Sequence, residues 1–233
     1  MKDHIPVKIK KGIGPFLNLL LVEQDHLLMM KTSEPFACYS SGLLGAGVCR
    51  TNTFYNRFVH KDYACNHPIE EYRHYLKSRE LVFEGVVGLM TAVPLKNRIL
   101  YTYEYDNLTI ISVITAGVGN AVDITSDELT PFSVNPGTIN MFFFIDGWLS
   151  EAAFLQVFIA ATEAKTKTLG ALNVRDPNTN SIATGTSTDS ICVAARQKGH
   201  RYEYAGSMTA LGQGIAKLVK ISLDDALRER VKK

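Results

Sequence analysis

The segment Ala183-Thr184-Gly185-Thr186-Ser187-Thr188-Asp189 gathers four hydroxyls and one carboxylate around a single glycine, just ahead of an apolar run that begins at Ile191. Hydroxyls and exposed amides at such a turn can hold a carbonyl oxygen or an amide side chain, and the carboxylate can take or relay a proton. The same composition suits a turn that only satisfies its own backbone, and this segment alone does not separate the two readings. It is not a phosphate-binding loop, because the Gly-Lys-Ser/Thr ending is missing. Two further charges, Glu163 and Lys165, interrupt a mostly apolar stretch. At 100° per residue they fall on opposite borders of a broad apolar face, so they do not pair with each other. Long side chains at such borders often simply reach solvent. An alanine-rich opposite side argues instead for a helix enclosed on several sides, where an unpaired charge is expensive. Other signatures are absent: there is no Gly-x-Ser-x-Gly elbow and no His-Glu-x-x-His, and His60 and His67 near Cys65 have no metal-ligand spacing. Those histidines read as surface residues, and Cys38 and Cys192, set in apolar runs, read as inert core thiols.

The elements that must position these groups are legible in outline. Two polar segments rich in Gly, Asn, Ser and Thr, residues 117–137 and 173–190, are longer than ordinary connections and each borders a candidate strand or helix, so the pair can converge on one edge of a sheet. Residues 17–22 and 27–30 read as two strands joined by a polar turn, and a third strand ends at Tyr39. Pro68, Ile69, Tyr72, Tyr75 and Leu76 have the spacing of a short amphipathic helix. Asp106-Asn107 separates two runs, 100–105 and 108–115, as a hairpin turn. Residues 139–145 are almost wholly apolar and read as a strand covered on both faces, as do 191–195. Ser150 is a good N-cap for a helix from about 151 to 169 that Gly170 ends. Its face of Ala152, Phe154, Leu155, Phe158, Ile159 and Thr162 and its back of Ala153, Val157, Ala160, Ala161 and Ala164 are both expected to pack. Leu211, Ile215, Leu218, Ser222, Ala226 and Leu227 mark a second long helix, whose Gly212 and Gly214 imply close approach of another backbone or a ligand. The fold class expected is α+β, a mixed and largely antiparallel sheet packed by two long helices, with a three-layer α/β arrangement as the alternative.

Composition narrows the function. With 233 residues and 46% of them hydrophobic, the chain can bury a substantial core, and a single domain over residues 1–233 is the reading. The formal net charge of +2 provides no field for a nucleic-acid backbone or an anionic membrane. Four cysteines without a Cys-x-x-Cys pair do not form a disulfide framework, which points to reduced thiols in a cytoplasm. Lys8, Lys10 and Lys11 ahead of residues 16–22 imitate a signal peptide, but Asn18 breaks the run and Glu23 and Asp25 follow it. No stretch approaches the roughly 20 apolar residues of a spanning helix.

Several segments, in order, resemble the motifs of the adenosylcobinamide amidohydrolase family. They are Thr115-Ala116-Gly117-Val118-Gly119-Asn120-Ala121, Gly137-Thr138-Ile139-Asn140, Ala161-Thr162-Glu163-Ala164-Lys165 and Thr184 to Asp189. Tyr204-Ala205-Gly206 with Thr209-Ala210-Leu211-Gly212 is similar to its closing motif. Ser40-Ser41 with residues 42–52, then Gly88-Leu89-Met90-Thr91-Ala92, are similar to its opening half. The resemblance implies hydrolysis of the amide that joins the aminopropanol arm to the corrin ring of adenosylcobinamide, giving adenosylcobyric acid in corrinoid salvage. It also implies a small-molecule corrinoid substrate, and leaves homo-oligomer formation open. No cofactor is called for, since the corrinoid is the substrate; no metal ligands are singled out, and the sequence leaves metal dependence open. Where the family pattern has a histidine before the threonine of the closing motif, this chain has Met208. A diverged corrinoid-binding protein without hydrolysis, and an amidase for another small amide, are the alternatives.

Side-chain chemistry distributes the roles. Glu163 or Asp189 would activate water or move a proton, Lys165 would stabilise charge, and Thr186 completes the catalytic set. Thr115, Asn120, Asn140, Thr184, Gly185, Ser187, Thr188 and Thr209 would bind substrate and polarise its amide.

Overall fold

The computed structural model of the chain describes residues 7–12, 14, 16–22, 26–127 and 138–228. The strands are β1 (Lys8–Lys11), β2 (Leu17–Val22), β3 (Leu27–Ser40), β4 (Gly47–Phe58), β5 (Val87–Thr91), β6 (Ile99–Tyr105), β7 (Leu108–Ala116), β8 (Ala121–Val122), β9 (Ile139–Asp146), β10 (Trp148–Leu149), β11 (Gly185–Thr186), β12 (Ser190–Ala195) and β13 (Arg201–Tyr202). The helices are α1 (Pro68–Lys77), α2 (Glu151–Ala171) and α3 (Ala210–Leu227).

Nine strands form the main sheet in the order β1-β6-β7-β9-β12-β3-β4-β5, with β2 added alongside β3. Only β9–β12 and β4–β5 run parallel within it. The architecture is therefore α+β, with a mixed and mostly antiparallel sheet as the periodicity predicts. Alternation along β9 explains its apolar run: Ile139, Met141, Phe143 and Ile145 join the core beneath α2 and α3, while Phe142 and Phe144 join a second core on the opposite face. Each buried phenylalanine contributes about 1.5–3 kcal/mol, so both faces of this one strand bear on stability.

The sheet curls over that second core. Phe54 of β4 meets Phe144 of β9 edge-on with ring centroids 4.9 Å apart. One end of the curl is closed by amides: Asn140 Nδ2 donates to Asn56 Oδ1 (2.9 Å) and to the Met90 carbonyl (2.8 Å), and Asn56 Nδ2 donates to Thr115 Oγ1 (3.1 Å). An unpaired amide there would cost about 1–3 kcal/mol, which is why the three side chains come as a set.

Several expectations change in detail. The strand expected to end at Tyr39 and the one starting at Leu27 are a single strand, β3, whose pairing with β4 shifts register between Lys31 and Phe36. Residues 23–25 of the turn before it lie outside the described residues, as do residues 128–137 of the first long segment. Ser150 caps α2 as expected, accepting from the Ala153 amide (3.0 Å). Gly170 does not end it: the helix continues to Ala171, and Asn173, at φ +54°, makes the left-handed turn that glycine was expected to supply. Its alanine-rich side packs, but the other side does so only in part: Phe154 is buried and Phe158 meets the core, whereas Leu155 and Ile159 are 58% and 56% exposed. Small residues let α2 lie close against its neighbours, and that close approach decides which side turns inward. The glycines of α3 are explained by such approach too. A Cβ on Gly212 would stand 2.3 Å from the carbonyl oxygens of Ala205 and Gly206, and one on Gly214 would meet Tyr103 and Ile110 at 2.9 Å.

On the outer side of β4, Arg57 reaches Glu71 of α1 through both terminal nitrogens (2.6 and 2.8 Å) and lies 3.7 Å over the Tyr75 ring. Hydrogen bonding from Arg57 holds the Glu71 carboxyl below a glutamate's ordinary value. A depressed folded-state pKa means stability that is present above the unfolded value and lost as pH falls through the folded one. Urea midpoints of the wild-type protein should therefore drop between about pH 5 and pH 3 by more than those of Glu71→Gln. Equal acid sensitivity in the two proteins would show that this clamp contributes nothing.

Candidate active site

The C-terminal end of β7 and the N-terminal ends of β9 and β12 lie at one end of the sheet, and the two long segments meet above them. β8 of the first pairs antiparallel with β11 of the second, Ala121 opposite Thr186 and Val122 opposite Gly185. Further bonds extend the seam: the Thr184 amide donates to the Val122 carbonyl (2.9 Å), the Ile124 amide to Thr184 Oγ1 (3.1 Å) and the Ser187 amide to the Asn120 carbonyl (3.2 Å). Asp176 and Asp123 staple the outer part. The Asp123 amide donates to Asp176 Oδ2 (2.9 Å) and Ser181 Oγ to Asp123 Oδ2 (2.6 Å). These bonds hold both carboxyls below the usual aspartate range, that of Asp176 chiefly through the Asp123 amide and that of Asp123 chiefly through the Ser181 hydroxyl.

Beneath the seam lies a buried charge pair. Lys165 projects from α2 to hydrogen-bond Asp189, which immediately precedes β12. Asp189 accepts four hydrogen bonds, from Lys165 Nζ and the Thr186 amide on Oδ2, and from the Ile139 amide and the Thr186 hydroxyl on Oδ1. An ionised carboxylate has about four acceptor sites, so this one is filled. Gly185 makes the approach possible, since a Cβ there would stand 2.6 Å from Asp189 Oδ2 and 2.7 Å from Lys165 Nζ. Asn120 closes the group by donating from Nδ2 to Ser187 Oγ (2.8 Å) and Thr188 Oγ1 (3.3 Å). Its Oδ1 is buried and has no partner among the described residues. Ser187 and Thr188 are exposed above the buried Thr186.

The structure thus brings together Asn120, Lys165, Thr184, Gly185, Thr186, Ser187, Thr188 and Asp189. Thr115 and Asn140 lie next to this group along the strands but are fully buried in the amide network with Asn56. Glu163 is exposed: two residues from Lys165 is about 200° around a helix, which turns it away from Asp189. Thr209 is the N-cap of α3, accepting from the Gly212 amide (3.0 Å) and donating to the Gly206 carbonyl (2.8 Å). Its segment meets α2 at Gln156, where the Ala205 amide donates to Oε1 (2.6 Å), about 14 Å along the helix axis from Lys165. Met208 is 90% exposed in that same segment.

Sequence reasoning missed Asn56, Asp123, Asp176 and the Ile139 amide. Asn56 sits in β4, which no alternation announced, although a lone amide between Phe54 and Phe58 was a signal. Asp123 and Asp176 each precede turn residues, and aspartates that bond their own backbone two residues on are a familiar turn device. Among the described residues, no three His, Cys, Asp or Glu side chains gather as a metal site.

The sequence pattern of adenosylcobinamide amidohydrolases matches residues 18–233. The chain belongs to that family. An adenosylcobinamide amidohydrolase of Methanosarcina mazei is 30% identical over 198 residues, 84% of this chain and 91% of that protein. An uncharacterized protein of Methanocaldococcus jannaschii is 30% identical over 162 residues, 62% of this chain and 63% of its own length. The match with the family contains every residue of the seam and of the charge pair beneath it.

Removing one member of a buried ion pair leaves the other charge without its partner and typically costs about 3–5 kcal/mol, whereas replacing both by neutral groups costs much less. Lys165→Met should lower unfolding free energy by an amount in that range, and adding Asp189→Asn should restore part of it. Urea titrations of the three proteins and the wild type measure the coupling. Simple additivity of the two losses would show the pair to be solvated.

Proposed function

We propose that this member of the family hydrolyses the amide bond joining the aminopropanol arm to the corrin ring of adenosylcobinamide, giving adenosylcobyric acid as a step of corrinoid salvage in the cytoplasm. Family membership supports the substrate class. The observation that carries the choice of site is the convergence of two segments, separated in the chain by β9 and α2, on the buried Lys165–Asp189 pair and Thr186.

Amide hydrolysis needs an activated oxygen, a proton for the leaving amine and donors for the oxyanion that forms on the carbonyl. Lys165 keeps two ammonium protons beyond the one given to Asp189, and so serves as charge stabiliser and proton donor. Ser187 and Thr188 supply exposed hydroxyls to the substrate amide. The unpartnered Asn120 Oδ1 is an acceptor suited to the substrate N–H once binding opens it. Asp189, rather than the outward-facing Glu163, is the proton-handling carboxylate. The segment of Met208 and Thr209 meets α2 at Gln156, about 14 Å along the helix axis from Lys165, so this reading assigns neither residue to the charge pair.

Purified protein incubated with adenosylcobinamide should release adenosylcobyric acid and the amino alcohol, followed by chromatography and mass spectrometry. Asp189→Asn and Lys165→Met should each lower kcat by about 10²–10⁴-fold, the range of a lost acid–base group. Retention of the corrinoid with no product at any pH would contradict hydrolysis, and turnover of other amides but not this one would contradict the substrate.

A further inference from the structure

The filled carboxylate of Asp189 has a consequence for which oxygen attacks. A general base that activates water must keep an acceptor site for that water. Asp189 has its sites taken by Lys165, the Ile139 amide, the Thr186 amide and the Thr186 hydroxyl. Three of these donors are nitrogens. Among the described residues, the one oxygen whose proton points at the carboxylate is Thr186 Oγ1. A hydroxyl held against a carboxylate that is itself oriented by a third group is the arrangement of an activated nucleophile.

We propose that Thr186 Oγ1 is the nucleophile and that the acyl group passes through an ester on Thr186 before water releases it. The inference rests on the functional reading above and adds a covalent step to it. In the first half, Oγ1 bonds to the substrate carbonyl carbon and its proton passes to Asp189. The C–N bond breaks, and the leaving amine takes a proton from Lys165. Lys165 is restored by the proton held on Asp189, so the pair returns to its starting charge. In the second half, with Oγ1 acylated and its former site on Asp189 Oδ1 open, water adds to the ester carbon and gives one proton to Asp189. The C–O bond to Thr186 breaks, that proton returns to Thr186 Oγ1 and the carboxylic acid leaves. The sum is amide plus water giving acid plus amine, with no oxidant or further reactant. Gly185 fits this role, because the small residue lets Lys165 Nζ reach the same carboxylate that holds the Thr186 hydroxyl.

Hydroxylamine distinguishes an acyl-enzyme from direct attack by water, since only an activated acyl group partitions to hydroxamate. The wild-type protein turning over adenosylcobinamide in hydroxylamine should yield the corrinoid hydroxamate beside the acid. Thr186→Ser should keep both products within about tenfold of wild type, and Thr186→Ala should lower both by about 10³-fold or more. Urea midpoints within error of one another would show that all three proteins are folded. No hydroxamate, together with Thr186→Ala turning over within tenfold of wild type, would overturn the covalent step while leaving hydrolysis intact. Full activity in Thr186→Ala, Lys165→Met and Asp189→Asn alike would instead remove the site itself.

Discussion

A single buried ion pair, Lys165 with Asp189, constrains everything around it. Both charges are largely out of water, and an ammonium or a carboxylate left alone in such a place would carry a penalty of several kcal/mol. The remaining acceptor sites of the carboxylate must therefore be filled, and each filler fixes a piece of chain. The Ile139 amide ties down the start of β9, the two groups of Thr186 tie down β11, and residue 185 must lack a side chain. With β11 fixed, β8 pairs to it, and Asn120 follows into contact with Ser187 and Thr188. One electrostatic requirement thus organises groups from four separated parts of the sequence.

The sheet supplies the rigid floor. β7, β9 and β12 are adjacent and buried on both faces, so their ends cannot shift without disturbing two cores at once. The amide network of Asn56, Thr115 and Asn140 closes the curl of the sheet directly beside the site. Those residues hold the strand ends in place, and their full burial makes them supports for the neighbouring loops.

What the sequence disclosed follows from which interactions are local. Ser150 as a cap, Asp106 at the hairpin and the double-faced run of β9 depend on neighbours in the chain, and each was readable. The convergence of two polar segments was readable as one of two alternatives, because long connections without their own structure are usually either functional or disordered. The exposure of Leu155 and Ile159 was not readable, since helical spacing shows that two sides differ without showing which one meets a partner. The pairing of Lys165 with Asp189 was hidden for the same reason: the spacing showed that Glu163 was not its partner and could not show that Asp189 was. β4 and β5 escaped notice because their residues alternate between a packed interior and a second packed surface beneath α1.

The family to which the chain belongs is named for hydrolysis of an amide of adenosylcobinamide, while the closing motif meets α2 at Gln156, along the helix from Lys165. In the proposed function, the bond to be cleaved sits at the seam between the two long segments. Hydrogen exchange of the protein with and without bound cobinamide tests this most directly. Slowed exchange at residues 118–124 and 184–189 is the expected result. Slowed exchange confined to the outer side of β4, or to the start of α3, with the seam unchanged, would contradict it.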